Sequence, residues 1–203
     1  MRPERAPWNH NIHYHPVILG AVPDGCRRAL DVGCGEGMLA RDLRDVVPQV
    51  VAIDSDGPVI GRARRLDLGG SVEYVRGDFL TCGLQDETFD LVASVAALHH
   101  MNAAAALGRM RQLVHPGGTL AVVGLARSRP GDWPIDIAGV VAHRALKARR
   151  GYWQVNAPTI WPPPQTYTQV RRTAADILPG VRYRRHLLWR YSLIWTKPAQ
   201  PGS

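Results

Sequence analysis

The 203-residue chain has no apolar run approaching the roughly 20 residues that cross a bilayer, so no membrane span is expected of it. Residues 1 to 8 lack the apolar core of a signal peptide, and the expected location is cytoplasmic. Cysteine is scarce: Cys26, Cys34 and Cys82 have neither disulfide-framework nor metal-site spacing, which fits a reducing compartment. Lysine is scarcer, with only Lys147 and Lys197 among 25 Lys+Arg. The formal net charge of +8 is therefore carried by arginine, and it is uneven. Residues 1 to 126 hold 12 basic against 14 acidic side chains, whereas residues 127 to 203 hold 13 against 3. A basic last third is compatible with nucleic acid, an acidic partner or surface, or an anionic substrate, and also with plain arginine-rich usage.

What is present fits a folded domain. Apolar content of 45% and charged content of 21% are ordinary for a globular protein, and the length suits one well-buried domain. The chain is organised around residues 29 to 37, Ala29-Leu30-Asp31-Val32-Gly33-Cys34-Gly35-Glu36-Gly37. An apolar run ends beside an acid, breaks into glycines at every second position, and meets the helical spacing of Met38 to Leu43. Glycine there permits a tight turn and close approach of a ligand to the main chain, and the amides of the following helix are expected to face the crevice. The dinucleotide fingerprint has glycine at positions one, three and six. Counted from Gly33, position six is Met38 and the third glycine is Gly37, at position five.

These residues resemble the S-adenosylmethionine-dependent methyltransferases of the Rossmann-like class. In that family an acid followed by Gly-x-Gly-x-Gly holds the methionine end of the cofactor; Asp31, Gly33, Gly35 and Gly37 match that pattern, and Cys34 between the first two glycines is a further candidate contact. Val50 to Asp54 is a second apolar run ending in a carboxylate, 21 residues after Gly33, where an acid accepts hydrogen bonds from ribose hydroxyls. Ser55 follows it as a further candidate contact. After a third strand, Ser71 to Arg76, the resemblance places Asp78 on the adenine amine and Phe79 against its ring. The fourth strand, Thr88 to Val95, supplies Ser94 and Val95 to the same crevice. It leads into Ala97-Leu98-His99-His100, which resembles the quinone-biosynthesis and small-molecule branch. His99 and His100 are candidate catalytic residues, since a neutral imidazole can take a proton from a phenol or amine; simple loop hydrogen bonding is the alternative. Leu113 to Leu120, with Pro116-Gly117-Gly118 as a turn into a fifth strand at 119 to 124, is also similar to these enzymes.

The implied fold is α/β: a single Rossmann-like three-layer domain whose mostly parallel seven-stranded sheet ends in an antiparallel hairpin. Residues 1 to 24 form an N-terminal cap, with His10, Tyr14 and His15 as possible lid residues over the cofactor. His10, His13 and His15 also invite a metal reading, but no cysteine or carboxylate completes such a set nearby, and no metal is expected. Residues 25 to 126 form the cofactor core, 127 to 165 an insertion expected to build the acceptor pocket, and 166 to 197 the last helix and hairpin, before a loose tail. The expected cofactor is S-adenosylmethionine, leaving as S-adenosylhomocysteine, with a small-molecule acceptor and a monomer or homodimer. An RNA or protein methyltransferase, or an interaction protein keeping the fold without turnover, are the rival readings. The first lacks an Asn-Pro-Pro-Tyr motif after the fourth strand, where Ser94 to Ala97 stand.

Overall fold

The computed structural model describes residues 8–153 and 160–199; residues 154–159 of the expected insertion and 200–203 of the tail lie outside the described residues. Seven strands form one sheet: β1 (Arg28–Val32), β2 (Gln49–Asp54), β3 (Val72–Arg76), β4 (Phe89–Val95), β5 (Val114–Leu125), β6 (Arg182–His186) and β7 (Arg190–Thr196). Their order is β3-β2-β1-β4-β5-β7-β6. The first five are parallel, while β7 pairs antiparallel with both β5 and β6. This is the expected mostly parallel sheet with a terminal antiparallel hairpin.

Burial follows position in the sheet. The central runs Ala29–Val32, Val50–Ile53 and Leu91–Ser94 are buried throughout, because helices cover both faces of a parallel sheet. At one edge β3 alternates, with Val72 and Tyr74 inward and Glu73 outward. At the other edge β6 carries Arg182, Arg184 and Arg185, and charge on an exposed edge resists pairing with another chain. One apolar layer contains Leu30, Val92, Leu107, Met110 and Tyr191; the opposite layer contains Ile18, Leu39, Leu43, Ile60 and Leu188.

The helices are α1 (His15–Leu19), α2 (Met38–Arg44), α3 (Gly57–Leu66), α4 (Ala103–Leu113), α5 (Trp133–Arg150) and α6 (Tyr167–Ile177). Local chemistry marks their starts. Gly37 begins α2 from a left-handed conformation (φ 73°). Asp56, Asn102 and Thr166 each accept a first-turn amide, and Gln169 returns the Thr166 bond in a capping box. The Pro116-Gly117-Gly118 segment is an irregular part of β5 rather than a turn before it. The register jumps from Phe89 opposite Val114 to Leu91 opposite Thr119, and the extra residues bond to Lys197 at the end of β7.

Candidate active site

The strand order reverses between β1 and β4, so the connections leaving these strands diverge and open a crevice at the carboxyl edge of the sheet. A cleft of about 590 Å³ lies there. The turn after β1 contributes Gly33, Cys34, Gly35 and Glu36, and β2 contributes Asp54, Ser55 and Asp56. Gly77, Asp78, Phe79 and Leu80 follow β3, while Val95, Ala96, Ala97 and His100 follow β4. Asp31 also reaches it from within β1. The structure therefore brings together nine of the ten residues expected at the cofactor. Ser94 is the exception: its side chain is fully buried and its hydroxyl donates to the Val32 carbonyl at 2.9 Å, so it ties β4 to β1 outside the cleft.

The three glycines of the turn have separate reasons. A Cβ on Gly33 would stand 2.2 Å from the Ala97 Cβ, and one on Gly37 would stand 2.5 Å from the Tyr74 hydroxyl. Gly35 meets no protein atom within 4 Å, but its φ of 55° disfavours a side chain and its main chain lines the cleft. Gly37 thus serves α2 and Tyr74. The amides of the turn itself, as distinct from those of the helix after it, are turned inward. Gly33 and Cys34 both donate to the Ile53 carbonyl, Gly37 donates to the Cys34 carbonyl, and Gly35 donates to Asp54 Oδ2 at 3.0 Å.

Carboxylates set the electrostatics. Asp31 is 1% exposed and its Oδ2 has no hydrogen-bond partner among the described residues. Burial, reinforced by the Asp54 charge, pushes Asp31 up to about 7. Asp54 accepts the amides of Gly35 and Asp56 on its two oxygens, which fixes the carboxylate in the wall of the cleft. With Glu36, Asp56 and Asp78, five acids line this space, and among the described residues its lining contains neither Arg nor Lys. Such a wall attracts a cationic ligand and opposes a pyrophosphate. Burial pushes the Cys34 thiol well above its usual range, so it is neutral and no nucleophile.

A methyltransferase-domain family model matches residues 30–122. An uncharacterized methyltransferase of Mycobacterium tuberculosis is 41% identical over 197 residues, covering 95% of this chain and 98% of that protein. The chain belongs to the class I, S-adenosylmethionine-dependent methyltransferases. A demethylmenaquinone methyltransferase of Roseiflexus castenholzii is 31% identical to it over 170 residues, 78% of this chain and 71% of that protein. Among solved structures, the N-methyltransferase NodS of Bradyrhizobium japonicum in complex with S-adenosylhomocysteine shares the fold, with a TM-score of 0.63 at 16% identity over 92% of this chain and 87% of that one.

The methyltransferase roofs its cleft with residues far apart in sequence. Asn9 accepts the amides of Asn11 and Ile12, and all three line the cleft. His15 lines it too, with Nδ1 2.6 Å from Asp42 Oδ2; a carboxylate only accepts, so the proton lies on Nδ1. His10 and Tyr14, expected as lid residues, are placed elsewhere. His10 Nε2 bonds to His143 Nδ1 at 2.8 Å, within an aromatic cluster that includes Trp8, Tyr152 and Trp189. The Tyr14 hydroxyl donates to the Leu187 carbonyl. This cluster, with the Trp153 amide on the Trp8 carbonyl, fastens the segment after α5 to the cap and brings Trp153 into the cleft lining.

The two histidines after β4 have ring centroids 4.0 Å apart but line different spaces. His100 lines the acidic cleft; burial lowers it, against an upward pull from the Asp54 charge. His99 lines a second cavity, of about 370 Å³, with Leu98, Leu125, Pro164, Gln165 and Tyr191. Met101 and Asn102 belong to both linings, so the two spaces adjoin. His99 Nδ1 is buried without a partner among the described residues, and burial, with help from His100 and Arg190, pushes the ring down to about 4.

Proposed function

We propose that the methyltransferase transfers a methyl group to a small-molecule acceptor seated in the His99 cavity. The observation carrying this reading is the adjoining pair of spaces: an acidic cleft, and a mostly apolar cavity of about 370 Å³ that shares Met101 and Asn102 with it. That volume suits a small ligand better than a polymer. The basic last third also supports this reading more than an RNA surface, since part of it is internal. Arg185 pairs with Asp132, and Arg190 is buried against Asn11 and the Leu188 carbonyl.

In this reading Asp31 accepts the cofactor's amino group, filling the need of its unpartnered Oδ2. Asp54 holds the ribose hydroxyls with lone pairs beyond those on Gly35 and Asp56, and Asp78 and Phe79 take the adenine. Gly33, Cys34, Gly35, Ser55 and Val95 shape the walls. When bound, S-adenosylmethionine supplies a methyl group on a positively charged sulfur, already activated for direct in-line displacement by the acceptor. The protein's own contribution is then positioning and exclusion of water. His99 is neutral at pH 7 and, held near 4, too weak a base to remove a proton from an unactivated alcohol or amine. It serves as a hydrogen-bond acceptor that orients an acidic O–H or N–H of the acceptor.

Calorimetric titration of cofactor-free protein with S-adenosylmethionine, S-adenosylhomocysteine and NAD tests the cleft. Binding of the two sulfur compounds without NAD is the expected result, followed by labelled methyl transfer to members of a phenol, amine and carboxylate panel. NAD binding, or label appearing in RNA or protein instead of small molecules, overturns the proposal.

A further inference from the structure

We infer that α5 is a docking helix for an anionic lipid surface. The inference is independent of which acceptor the methyltransferase uses. Helix α5 runs for 18 residues and meets the β6–β7 turn, which lies at the carboxyl edge of the sheet because Arg190 pairs with Leu125 at the end of β5. Gly139, its sole buried residue, rests on Leu188 and Trp189 in the β6–β7 turn. Ile135, Val140, Ala142 and Leu146 are half-buried, Ala142 and Leu146 against the core, and the remaining large apolar side chains of the helix face outward. Trp133, Ile137 and Val141 lie four residues apart on one outward stripe and are 62%, 55% and 61% exposed. Trp161 is 68% exposed and Leu187 42% exposed.

The charges on this helix are divided in a way that fits such a surface. Its acids are engaged internally, Asp132 at its start and Asp136 in its first turn both pairing with Arg185. Its bases are left outward: Arg144 continues the Trp133–Ile137–Val141 stripe, Lys147 flanks it, and Arg149 and Arg150 follow, all exposed. None of these four has a carboxylate partner among the described residues. An apolar stripe containing an indole, continued by unpaired cations, is the pattern of a helix lying in a membrane interface. The rings enter the headgroup boundary while the cations meet lipid phosphates, with long basic side chains extending toward the polar layer. An acidic protein partner would match the cations but leave the apolar stripe unexplained. Trp153, three residues beyond the helix, lines the cofactor cleft, so docking through α5 sets the mouth of the cleft near the lipid surface.

Co-sedimentation of the full chain with phosphatidylcholine vesicles, with and without phosphatidylglycerol, tests this. The protein is expected to pellet with the phosphatidylglycerol vesicles and to be released by high salt. The double variant Arg144→Gln/Lys147→Gln is expected to weaken partitioning about 25-fold, at about fivefold for each cation lost near an anionic surface. Trp133→Ser/Ile137→Ser/Val141→Ser, exposed positions whose change leaves the fold intact, is expected to abolish pelleting while S-adenosylhomocysteine still binds. Wild-type protein remaining in the supernatant, or pelleting unchanged in both variants, overturns the inference. So does a dimer in light scattering that the triple variant converts to monomer, which would assign the stripe to a second copy of the chain.

Discussion

Replacing Asp31 by Asn removes a carboxyl group that the fold buries with one oxygen unpartnered. The folded carboxyl, held at about 7 against an ordinary 3.8, keeps its proton to higher pH than the unfolded one. Between those values the folded state binds more protons, so this group's contribution to stability falls as pH rises and is fully lost above about pH 7. At about 1.4 kcal/mol per pH unit, ionised Asp31 weighs on the ligand-free fold by about 4 kcal/mol. An unpartnered Asn amide costs about 1–3 kcal/mol itself. The net gain for Asp31→Asn is therefore about 1–3 kcal/mol, worth roughly 2–4 °C of melting temperature per kcal/mol at this chain length. Melting curves of ligand-free wild type and variant should diverge as pH rises from about 4 to about 8. Calorimetry at the upper end should show S-adenosylmethionine binding weakened about tenfold to a hundredfold, by loss of a charge-assisted hydrogen bond. Parallel melting curves, or undiminished affinity, would refute the reasoning.

Asp54→Ala removes the proposed ribose contacts and frees the Gly35 and Asp56 amides, so affinity for S-adenosylhomocysteine should drop at least about tenfold. Unchanged affinity in a folded variant defeats that assignment. Gly37→Ala and Gly35→Ala should separate by assay. The first meets the Tyr74 ring and lowers melting temperature strongly while sparing cofactor affinity in the remaining folded protein. The second strains the backbone by about 1–2 kcal/mol but weakens cofactor binding, and equal effects in both assays would contradict the division of roles. His99 is held near 4, so the unfolded chain takes up a proton that the folded chain refuses, and stability should fall as pH drops from about 6.5 to about 4. His99→Gln should lessen that fall in a melting series, and an equally steep fall would show that His99 does not contribute to it.

Much of the architecture could be read from local pattern. The apolar runs at Ala29–Val32, Val50–Ile53 and Leu91–Ser94 are long and free of alternation because each strand is covered on both faces. Asp56 before Pro58, and Thr166 three residues before Gln169, mark helix starts within a single turn of chain. The same locality makes Asp31, Asp54 and Asp78, at or just beyond the carboxyl ends of β1, β2 and β3, visible as cleft candidates, since a residue there has little choice of where to go. The Pro116-Gly117-Gly118 segment misled as a turn because its conformation is set by β4 and by Lys197, more than seventy residues away.

Sequence alone thus determined the strand-turn-helix cradle, the parallel core and the chemical character of the cleft, all of which depend on neighbours within about one helical turn or one strand. Tertiary structure decided the rest. It turned the hydroxyl of Ser94 onto Val32, sent His99 and His100 into different spaces, and made Gly37 a clearance for Tyr74. It also gathered Asn11 and Trp153 over one cleft and left Asp31 without a partner for one oxygen. Each of these outcomes depends on which distant group fills the space beside a side chain, and that is fixed only when the layers pack.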